Sequence, residues 1–211
     1  MTKMFAVGAY LANCFVTYCK DTLQTVVVDP GFSDAEEGHE VLNYIDKNDL
    51  NPRFVINTHG HPDHTCGNQI LKDHFHIPIC IHKDDAYMLG KSGGETARYF
   101  GFNTVSPSAD ILLHEGSCVE IGNITLRVIH TPGHSYGSVV LLGKAEVFTG
   151  DTLFAGSIGR TDFPASSDRE MQISLRRLLT LQDYFVVYPG HGPTTTIGEE
   201  KRVNPFLKVP L

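Results

Sequence analysis

The segment from His59 to His64 concentrates side chains that can bind metal ions. It reads His59-Gly60-His61-Pro62-Asp63-His64 and so offers two ligand-type pairs within one short stretch. In an extended segment, residues two apart point to the same side, so His59 and His61 can face one ion. Pro62 suits the first position of a helix, whose first turn would direct Asp63 and His64 towards a neighbouring point. One short segment could therefore supply ligands to two adjacent metal ions.

Further ligand-type residues follow hydrophobic runs elsewhere in the chain. His134, Asp151 and His191 each lie in a turn after such a run. Asp29 also ends such a run; it could orient the site from behind, but an Asp-Pro-Gly turn is the simpler explanation. Polar side chains at strand ends can converge on one edge of a sheet, where α/β proteins usually place their sites. Imidazole and carboxylate ligands together favour zinc, iron or manganese over calcium or magnesium.

The elements that must position these residues alternate between short β-rich runs and helical stretches, which predicts an α/β fold. Ser33 with Glu36 and Ser167 with Glu170 form capping-box patterns that predict helix starts. We expect a third helix to run from Pro62 to about residue 75, and a short one at residues 95–100 within a Gly- and Ser-rich connection, 90–108, that could act as a lid. The expected strands cover residues 13–19, 25–28, 53–57, 79–81, 124–129, 138–142, 146–149 and 184–188.

The composition excludes several classes of protein. The 211 residues are 41% hydrophobic and carry a net charge of −7, which is typical of a globular protein and offers no basic surface for nucleic acid or an anionic membrane. No run is long and apolar enough to span a bilayer, and polar residues interrupt the N-terminal apolar stretch, which favours strands over a signal peptide. Five cysteines without a CxxC pair argue against a disulfide scaffold and favour a reducing cytoplasm.

The ligand-rich segment, followed by His134, Asp151 and His191 in that order, resembles the metallo-β-lactamase-fold superfamily. The resemblance covers most of the chain, from Asp29-Pro30-Gly31 to His191. It implies that residues 1–211 form a single domain, an αββα sandwich of two mixed β-sheets with helices on the outer faces and the metal site at the sheet edge. Carried over position by position, it implies that His59, His61 and His134 bind a first ion, that Asp63, His64 and His191 bind a second, and that Asp151 bridges the two.

Two divalent metal ions held in this way would support hydrolysis. Adjacent ions can share a water molecule and lower its pKa from about 15.7 towards about 7, which supplies a bridging hydroxide at neutral pH. The same ions would stabilise the negative charge that develops on a substrate oxygen. Asp63 is the candidate catalytic residue for proton transfer after the attack. We expect Zn²⁺, with iron or manganese as alternatives.

Within the superfamily, the chain is similar to the glyoxalase II-like branch, which hydrolyses thioesters such as S-lactoylglutathione. The similarity lies in residues 13–15 (Asn-Cys-Phe), 150–154 (Gly-Asp-Thr-Leu-Phe), 159–163 (Gly-Arg-Thr-Asp-Phe), 188–193 (Tyr-Pro-Gly-His-Gly-Pro) and 204–206 (Asn-Pro-Phe). It implies a small-molecule thioester as substrate. The sequence departs from classical glyoxalase II because it lacks the C-terminal helical extension that helps to bind glutathione, so another thiol carrier is an alternative.

Arg160 stands where glyoxalase II commonly has a basic residue near the thiol carrier. We expect its guanidinium to bind a substrate carboxylate, a group that its planar fork suits. A surface salt bridge is the alternative interpretation.

Two other functions remain open from the sequence. Persulfide dioxygenases share the fold and a Gly-Arg-Thr-Asp-Phe stretch, and the resemblance implies that a single iron would use His59, His134 and Asp151. Two histidines and a carboxylate on one face leave positions open for O₂. The other alternative is a metal-binding regulatory or electron-transfer protein, which the complete ligand series disfavours. Among the remaining histidines, His130 is the best candidate for a supporting role behind the ligands.

Overall fold

The computed structural model describes residues 1–207, within which short strands and helices alternate. The strands are β1 (Thr2–Val7), β2 (Ala12–Tyr18), β3 (Gln24–Val28), β4 (Asn51–Ile56), β5 (Ile79–His82), β6 (Ile111–Leu113), β7 (Cys118–Ile121), β8 (Ile124–His130), β9 (Val139–Leu142), β10 (Glu146–Gly150), β11 (Leu153–Phe154), β12 (Ser157–Ile158), β13 (Val186–Pro189) and β14 (Thr195–Thr196). The helices are α1 (His39–Lys47), α2 (Pro62–Thr65), α3 (Asn68–Phe75), α4 (Gly94–Tyr99), α5 (Asp168–Leu178) and α6 (Ile197–Val203).

The described strands form two large mixed sheets. The first has the order β1-β2-β3-β4-β5-β6, antiparallel over β1 to β3 and parallel over β3 to β6. The second has the order β14-β13-β10-β9-β8-β7. Of the pairs described in this second sheet, β10–β13 is parallel and the others are antiparallel. Strands β11 and β12 form a small hairpin. The predicted α/β sandwich is therefore confirmed.

Alternating side chains on buried strands separate the layers of the sandwich. In β3, Val26 and Val28 pack between the two sheets, whereas Val27 faces the helices on the outer side of the first sheet. In β10, Phe148 packs between the sheets and Val147 packs under α5. Side chains on a strand point alternately to its two faces, so these strands are apolar throughout because both of their faces are covered.

Amphipathic helices cover the two outer faces. Val41 and Ile45 of α1 pack on the first sheet, and Met171 and Leu175 of α5 pack on the second. Helix α5 begins as its capping box predicts, because the Ser167 hydroxyl accepts a hydrogen bond from the Glu170 backbone N–H. The fold is thus the expected αββα sandwich, with helices on both outer faces.

Two of the predicted helices differ in the structure. The pattern at Ser33 does not start a helix. Asp34 Oδ1, rather than the Ser33 hydroxyl, accepts hydrogen bonds from the Glu36 and Glu37 N–H groups, and this stretch forms a turn. Helix α1 begins only at His39. The helix predicted from Pro62 to residue 75 is two helices, interrupted where the Gly67 N–H leaves the helical pattern and donates to the Pro30 carbonyl.

Other parts of the chain follow the sequence more closely. The short helix expected at residues 95–100 is α4, and the N-terminal stretch forms strands β1 and β2 as predicted. Strands β6 and β7 were not predicted; they are short, and several of their side chains are exposed. Across residues 1–207, no helix combines the length and the apolar character that crossing a membrane requires.

Candidate metal centre

The predicted ligands lie in turns at one edge of the sandwich. His59 and His61 follow the end of β4, His134 follows β8, Asp151 follows β10 and His191 follows β13. These turns meet at the gap between the two sheets, because the strands that precede them all end at this edge. The structure brings all seven predicted ligand side chains together there.

Three histidines form the first group of ligand atoms. One ring nitrogen from each of His59, His61 and His134 lies within 4.8 Å of the others. His61 Nδ1 is 2.9 Å from His134 Nε2, and all three side chains are buried. The His134 ring is oriented from behind, because its Nδ1 lies 2.8 Å from the Arg160 carbonyl oxygen and donates to it, which leaves Nε2 facing the group.

The second group contains Asp63, His64 and His191, whose ligand atoms also lie within 4.8 Å of one another. His64 Nε2 is 3.2 Å from His191 Nε2, and His191 Nε2 is 3.3 Å from Asp63 Oδ2. Pro62 starts α2 directly after the extended His61, which is the change of direction that separates this group from the first.

Asp151 lies between the two groups. Its Oδ2 is 3.4 Å from His134 Nε2 in the first group, and its Oδ1 is 3.5 Å from His64 Nε2 in the second. Neighbouring backbone leaves this carboxylate little room to move, because a Cβ on Gly190 would overlap Asp151 Oδ1. The arrangement suits a carboxylate that binds two cations at once.

Unpaired buried atoms test whether metal ions fit this site. Among the described residues, His59 Nε2 and Asp151 Oδ1 are buried side-chain atoms without a hydrogen-bond partner. Both atoms are good ligands for transition metals, and buried polar atoms are rarely left unsatisfied. A cation in each group would satisfy them, so the residues present fit a pair of divalent metal ions.

The protonation of the histidines agrees with this fit. Burial, reinforced by His64, lowers the pKa of His59 well below its usual value, and burial with His134 does the same to the pKa of His61. Both rings are therefore neutral at pH 7 and carry a free lone pair, which is the form that binds metal.

The second group concentrates negative charge. Burial lowers the pKa of His64, but Asp63, Asp151 and Asp29 outweigh burial and raise this pKa to about 10. Burial raises the pKa of Asp63, but His64 and His191 outweigh it and hold this pKa below its usual range. The carboxylates of the site thus stabilise positive charge. They would stabilise a bound divalent cation in the same way.

Asp29 supports the second group from behind. Its buried carboxylate accepts hydrogen bonds from the Thr58 N–H at 2.7 Å and the Thr58 hydroxyl at 2.6 Å, and Oδ2 lies 3.1 Å from His64 Nδ1. Asp29 adopts a positive φ of 51°, a conformation that aspartate tolerates better than most residues. It is therefore more than a turn residue, because it orients the His64 ring.

Asp85 supports the first group and was not singled out from the sequence. Its fully buried carboxylate accepts hydrogen bonds from the Gly60 N–H at 2.9 Å, the Ser135 hydroxyl at 2.6 Å and the Gly137 N–H at 2.6 Å. Gly60 lies between His59 and His61, and Ser135 follows His134. One carboxylate therefore ties the turns that carry all three histidines.

The backbone around His191 is held in a similar way. Asn13 on β2 donates from its side chain to the Pro189 and Gly192 carbonyls, each at 2.8 Å, and its N–H donates to the Gly190 carbonyl at 2.7 Å. Asn13 is buried. The Asn-Cys-Phe stretch noted in the sequence thus positions the turn that carries His191.

Arg160 lies at the mouth of the site, and its side chain pairs with Asp162. Its guanidinium forms two hydrogen bonds to Asp162, at 2.8 and 2.9 Å, and lies 4.5 Å from the centre of the Phe163 ring. The side chain is 67% exposed, so the ion pair is weak and open to exchange. The Arg160 backbone has a separate role, since its carbonyl orients His134.

An open cleft of about 480 Å³ leads to the ligand groups. Besides Arg160 and several ligands, aromatic rings line it: Tyr10, Tyr99, Phe100, Phe154 and Phe163. Tyr99 and Phe100 come from the connection at residues 90–108, and the Tyr10 hydroxyl donates to the Phe100 carbonyl at 3.3 Å. This connection therefore forms one wall of the cleft.

His130 does not support the ligands as predicted. Its ring stacks on that of His82, with centroids 4.1 Å apart and planes 14° from parallel, and its Nε2 bonds the Tyr136 carbonyl. With Asp84 these two histidines form another close group of ligand-type atoms. Nearly parallel rings direct their lone pairs alongside each other, so the pair cannot converge on one ion without rotation.

A family model described as the metallo-beta-lactamase superfamily matches residues 7–191. The chain belongs to this superfamily. The resemblance inferred from the ligand series is thereby confirmed, and membership supports a metal-dependent hydrolase.

A curated relative with a stated activity covers nearly the whole chain. The hydroxyacylglutathione hydrolase GloC of Haemophilus influenzae is 35% identical, and the alignment covers 97% of each chain.

Several solved structures share the fold and 28–35% of the aligned residues. The BLEG-1 B3 metallo-beta-lactamase has a TM-score of 0.88 and 35% identity, covering 99% of this chain and 100% of that one. The di-iron-bound form of TTHA1623 has a TM-score of 0.85 and 34% identity, covering 97% and 100%. ETHE1 from Myxococcus xanthus has a TM-score of 0.81 and 28% identity, covering 97% and 83%.

Proposed function

We propose that this protein is a metal-dependent thioesterase that hydrolyses small thioesters of the S-lactoylglutathione type. The observation that carries the proposal is the position of Asp151 between two groups of ligand atoms, with its buried Oδ1 unpaired. A site with two metal ions is suited to hydrolysis. The 35% identity to a hydroxyacylglutathione hydrolase supports a thioester as the substrate.

The residues of this chain divide the work between them. His59, His61 and His134 would hold one ion, Asp63, His64 and His191 the other, and Asp151 both. Bound ions would lower the pKa of a water molecule and polarise the thioester carbonyl. We expect the ions to be Zn²⁺. Iron is the alternative, because the similar protein TTHA1623 has a di-iron-bound form.

Asp63 is the candidate for proton transfer because of its position. Its carboxylate faces the cleft, and its Oδ2 lies 3.3 Å from His191 Nε2 and 3.6 Å from His64 Nε2. After attack on the thioester carbonyl, a carboxylate placed here can accept the proton of the nucleophile and pass it to the departing thiolate. Asp63→Asn would remove this function together with one ligand charge.

Arg160 is the candidate for binding the thiol carrier. It is the cation that lines the cleft among the described residues, and its exposed pairing with Asp162 can exchange for a substrate carboxylate. Arg160→Ala should then raise KM for thioesters whose carrier bears a carboxylate, with little change in kcat. An unchanged KM for every thioester that is turned over would contradict this role.

Hydrolysis and metal analysis together test the proposal. The purified protein, loaded with Zn²⁺, should release free thiol from S-lactoylglutathione or another thioester, lose that activity on chelation, and regain it when metal is restored. A panel of thiol carriers identifies the preferred one, and a chromogenic β-lactam included in the panel tests the activity named for the BLEG-1 protein. Failure to release thiol from any thioester, with two ions bound, would refute the thioesterase.

A persulfide dioxygenase is the second candidate, because residues 159–163 match the Gly-Arg-Thr-Asp-Phe stretch of that family. His59, His134 and Asp151 would then hold a single iron. Glutathione persulfide and an oxygen electrode separate the two functions. One iron per chain with oxygen uptake would establish the dioxygenase, whereas two ions, thiol release and no uptake would establish the hydrolase.

A further inference from the structure

Two cavities flank the first ligand group and share a wall. The cleft of about 480 Å³ contains Asp151, His191 and Arg160, whereas a second cavity of about 300 Å³ lies on the other side of Phe100 and Phe163. His61 lines both cavities. This predicted ligand therefore lies where the two cavities adjoin.

Packing fixes the aromatic wall between the cavities. The His61 ring lies 4.6 Å from that of Phe100 and 5.4 Å from that of Phe163, and these two phenylalanine rings lie 5.1 Å apart. Aromatic pairs at such distances stabilise one another beyond the area that they bury. The rings of Phe100 and Phe163, which line both cavities, thus pack directly against His61.

The second cavity differs in its chemistry. Its surface is formed mainly by apolar side chains, among them Met88, Pro164 and Ala165, and the described residues around it include no cation. Its carboxylate, Glu95, is exposed at the rim and would repel an anionic group. The volume is at the lower end of the range for cavities that bind small molecules.

We propose that this second cavity is the acyl pocket, so that among small thioesters those with an apolar acyl group of several carbons are the preferred substrates. The proposal rests on the thioesterase function. The carbonyl must lie at the ligand groups, so the two sides of the thioester point in different directions. A carrier with a carboxylate fits the cleft with Arg160, and an alkyl or aryl acyl chain fits the apolar cavity beyond His61.

A chain-length series tests the proposal. Acetyl, butanoyl and hexanoyl thioesters of N-acetylcysteamine share one small neutral carrier, so only the acyl group varies. The metal-loaded protein should show kcat/KM rising by about fourfold for each methylene that enters the pocket, the value expected for its transfer out of water. Equal kcat/KM along the series would overturn the acyl pocket.

Substitutions at alanine positions locate the effect. Ala165→Phe fills the cavity and should reduce the ratio of hexanoyl to acetyl kcat/KM at least tenfold. Ala145→Phe is the matched control, because Ala145 is exposed next to the start of β10, at the end opposite to Asp151. The control should keep the ratio of the wild-type protein. A wild-type ratio in Ala165→Phe would assign the chain-length preference to another surface.

Direct binding separates this proposal from the thioesterase itself. The thioether S-hexyl-N-acetylcysteamine cannot be hydrolysed and serves as the probe in calorimetry with the metal-loaded protein. Binding that is lost in Ala165→Phe and kept in Ala145→Phe supports the apolar pocket, even if no thioester is hydrolysed. Hydrolysis without chain-length preference, combined with no binding of the thioether, refutes the pocket and leaves the thioesterase standing.

Discussion

Asp85 Oδ1 lies 2.6 Å from the Gly137 backbone nitrogen and accepts its hydrogen bond across the gap between the two sheets. Asp85 follows β5 of the first sheet, and Gly137 precedes β9 of the second. Because the other oxygen accepts from Gly60 and Ser135, this carboxylate sets the distance between the turns that carry the first ligand group. Asp29 acts in a corresponding way on the second group, through Thr58 and His64.

Asp85→Asn should therefore weaken metal binding by the three histidines. The amide of asparagine has an NH₂ group in place of one carboxylate oxygen. At least one of the three donors, Gly60, Ser135 or Gly137, therefore loses its acceptor. Removing such a supporting contact typically costs about 10- to 100-fold in metal affinity. Competition titration with Zn²⁺ in a His191→Ala background, in which the second group lacks a ligand, measures the affinity of the first group.

Asp84→Asn is the matched control for this experiment. Asp84 is the neighbouring residue, and its carboxylate pairs with the exposed Lys83 rather than with the ligand turns. Its substitution should leave zinc affinity within about twofold. Equal affinity in Asp85→Asn and the wild-type protein would show that the turns hold their geometry without the Asp85 carboxylate.

Asp29→Asn should affect the other ion. The amide reproduces at most part of the contacts to Thr58 and His64, so the His64 ring loses its fixed orientation. In a His61→Ala background, which disables the first group, zinc affinity should fall by about 10- to 100-fold. Unchanged zinc affinity on adding Asp29→Asn in this background would contradict the support that Asp29 gives to the second group.

Gly190→Ala should disrupt the bridging carboxylate. The added Cβ would overlap Asp151 Oδ1 and lie 2.9 Å from His64 Cε1, so the ligand turns must move apart. We expect a loss of bound metal and a free energy of unfolding lowered by about 1 to 3 kcal/mol, as for other overpacked sites. Metal analysis and denaturant unfolding measure the two effects.

Gly94→Ala provides the comparison for Gly190. Gly94 is the first residue of α4, where an added Cβ would meet only the flexible end of Arg98, at 3.5 Å. This substitution should leave the metal content unchanged and raise stability slightly, by less than about 1 kcal/mol. Full metal content in both variants would contradict the tight fit of Asp151 against the Gly190 turn.

His82 should make the metal-free protein less stable in acid. Burial, together with His130, lowers the pKa of His82 to about 4, below the value of about 6.5 for an unfolded chain. Between these values the unfolded state binds the extra proton, so the free energy of unfolding falls as pH decreases from 6.5 towards 4. Denaturant unfolding at pH 7 and pH 5 should show a smaller difference for His82→Gln, and an unchanged difference would contradict this effect.

The sequence was sufficient to predict an α/β fold and to single out the seven side chains that the structure brings together. His134, Asp151 and His191 each follow a hydrophobic run, and strands that end at one edge bring such residues together although they are far apart in the chain. Residue type and strand periodicity carry this information directly. The αββα sandwich was implied by the resemblance to the superfamily, and strands that are apolar on both faces agree with it, because they need a covering layer on each side.

Asp85 could not be recognised in the same way. It has no ligand spacing, and its partners Gly60 and Gly137 act through backbone N–H groups that leave no trace in residue type. The role of the Arg160 carbonyl is equally invisible, since any residue could provide it. The helix start predicted at Ser33 failed for a related reason. The Glu36 N–H, whose hydrogen bond Ser33 would accept in a capping box, donates to Asp34 Oδ1 instead.

Zinc stoichiometry measured by equilibrium dialysis tests the central claim most directly. The wild-type protein should bind two Zn²⁺ ions per chain, and His191→Ala should bind one, because the second group then lacks a ligand while the three histidines remain. A wild-type protein that binds one ion or none under saturating zinc, or a His191→Ala variant that still binds two with undiminished affinity, would contradict a centre built from these seven side chains.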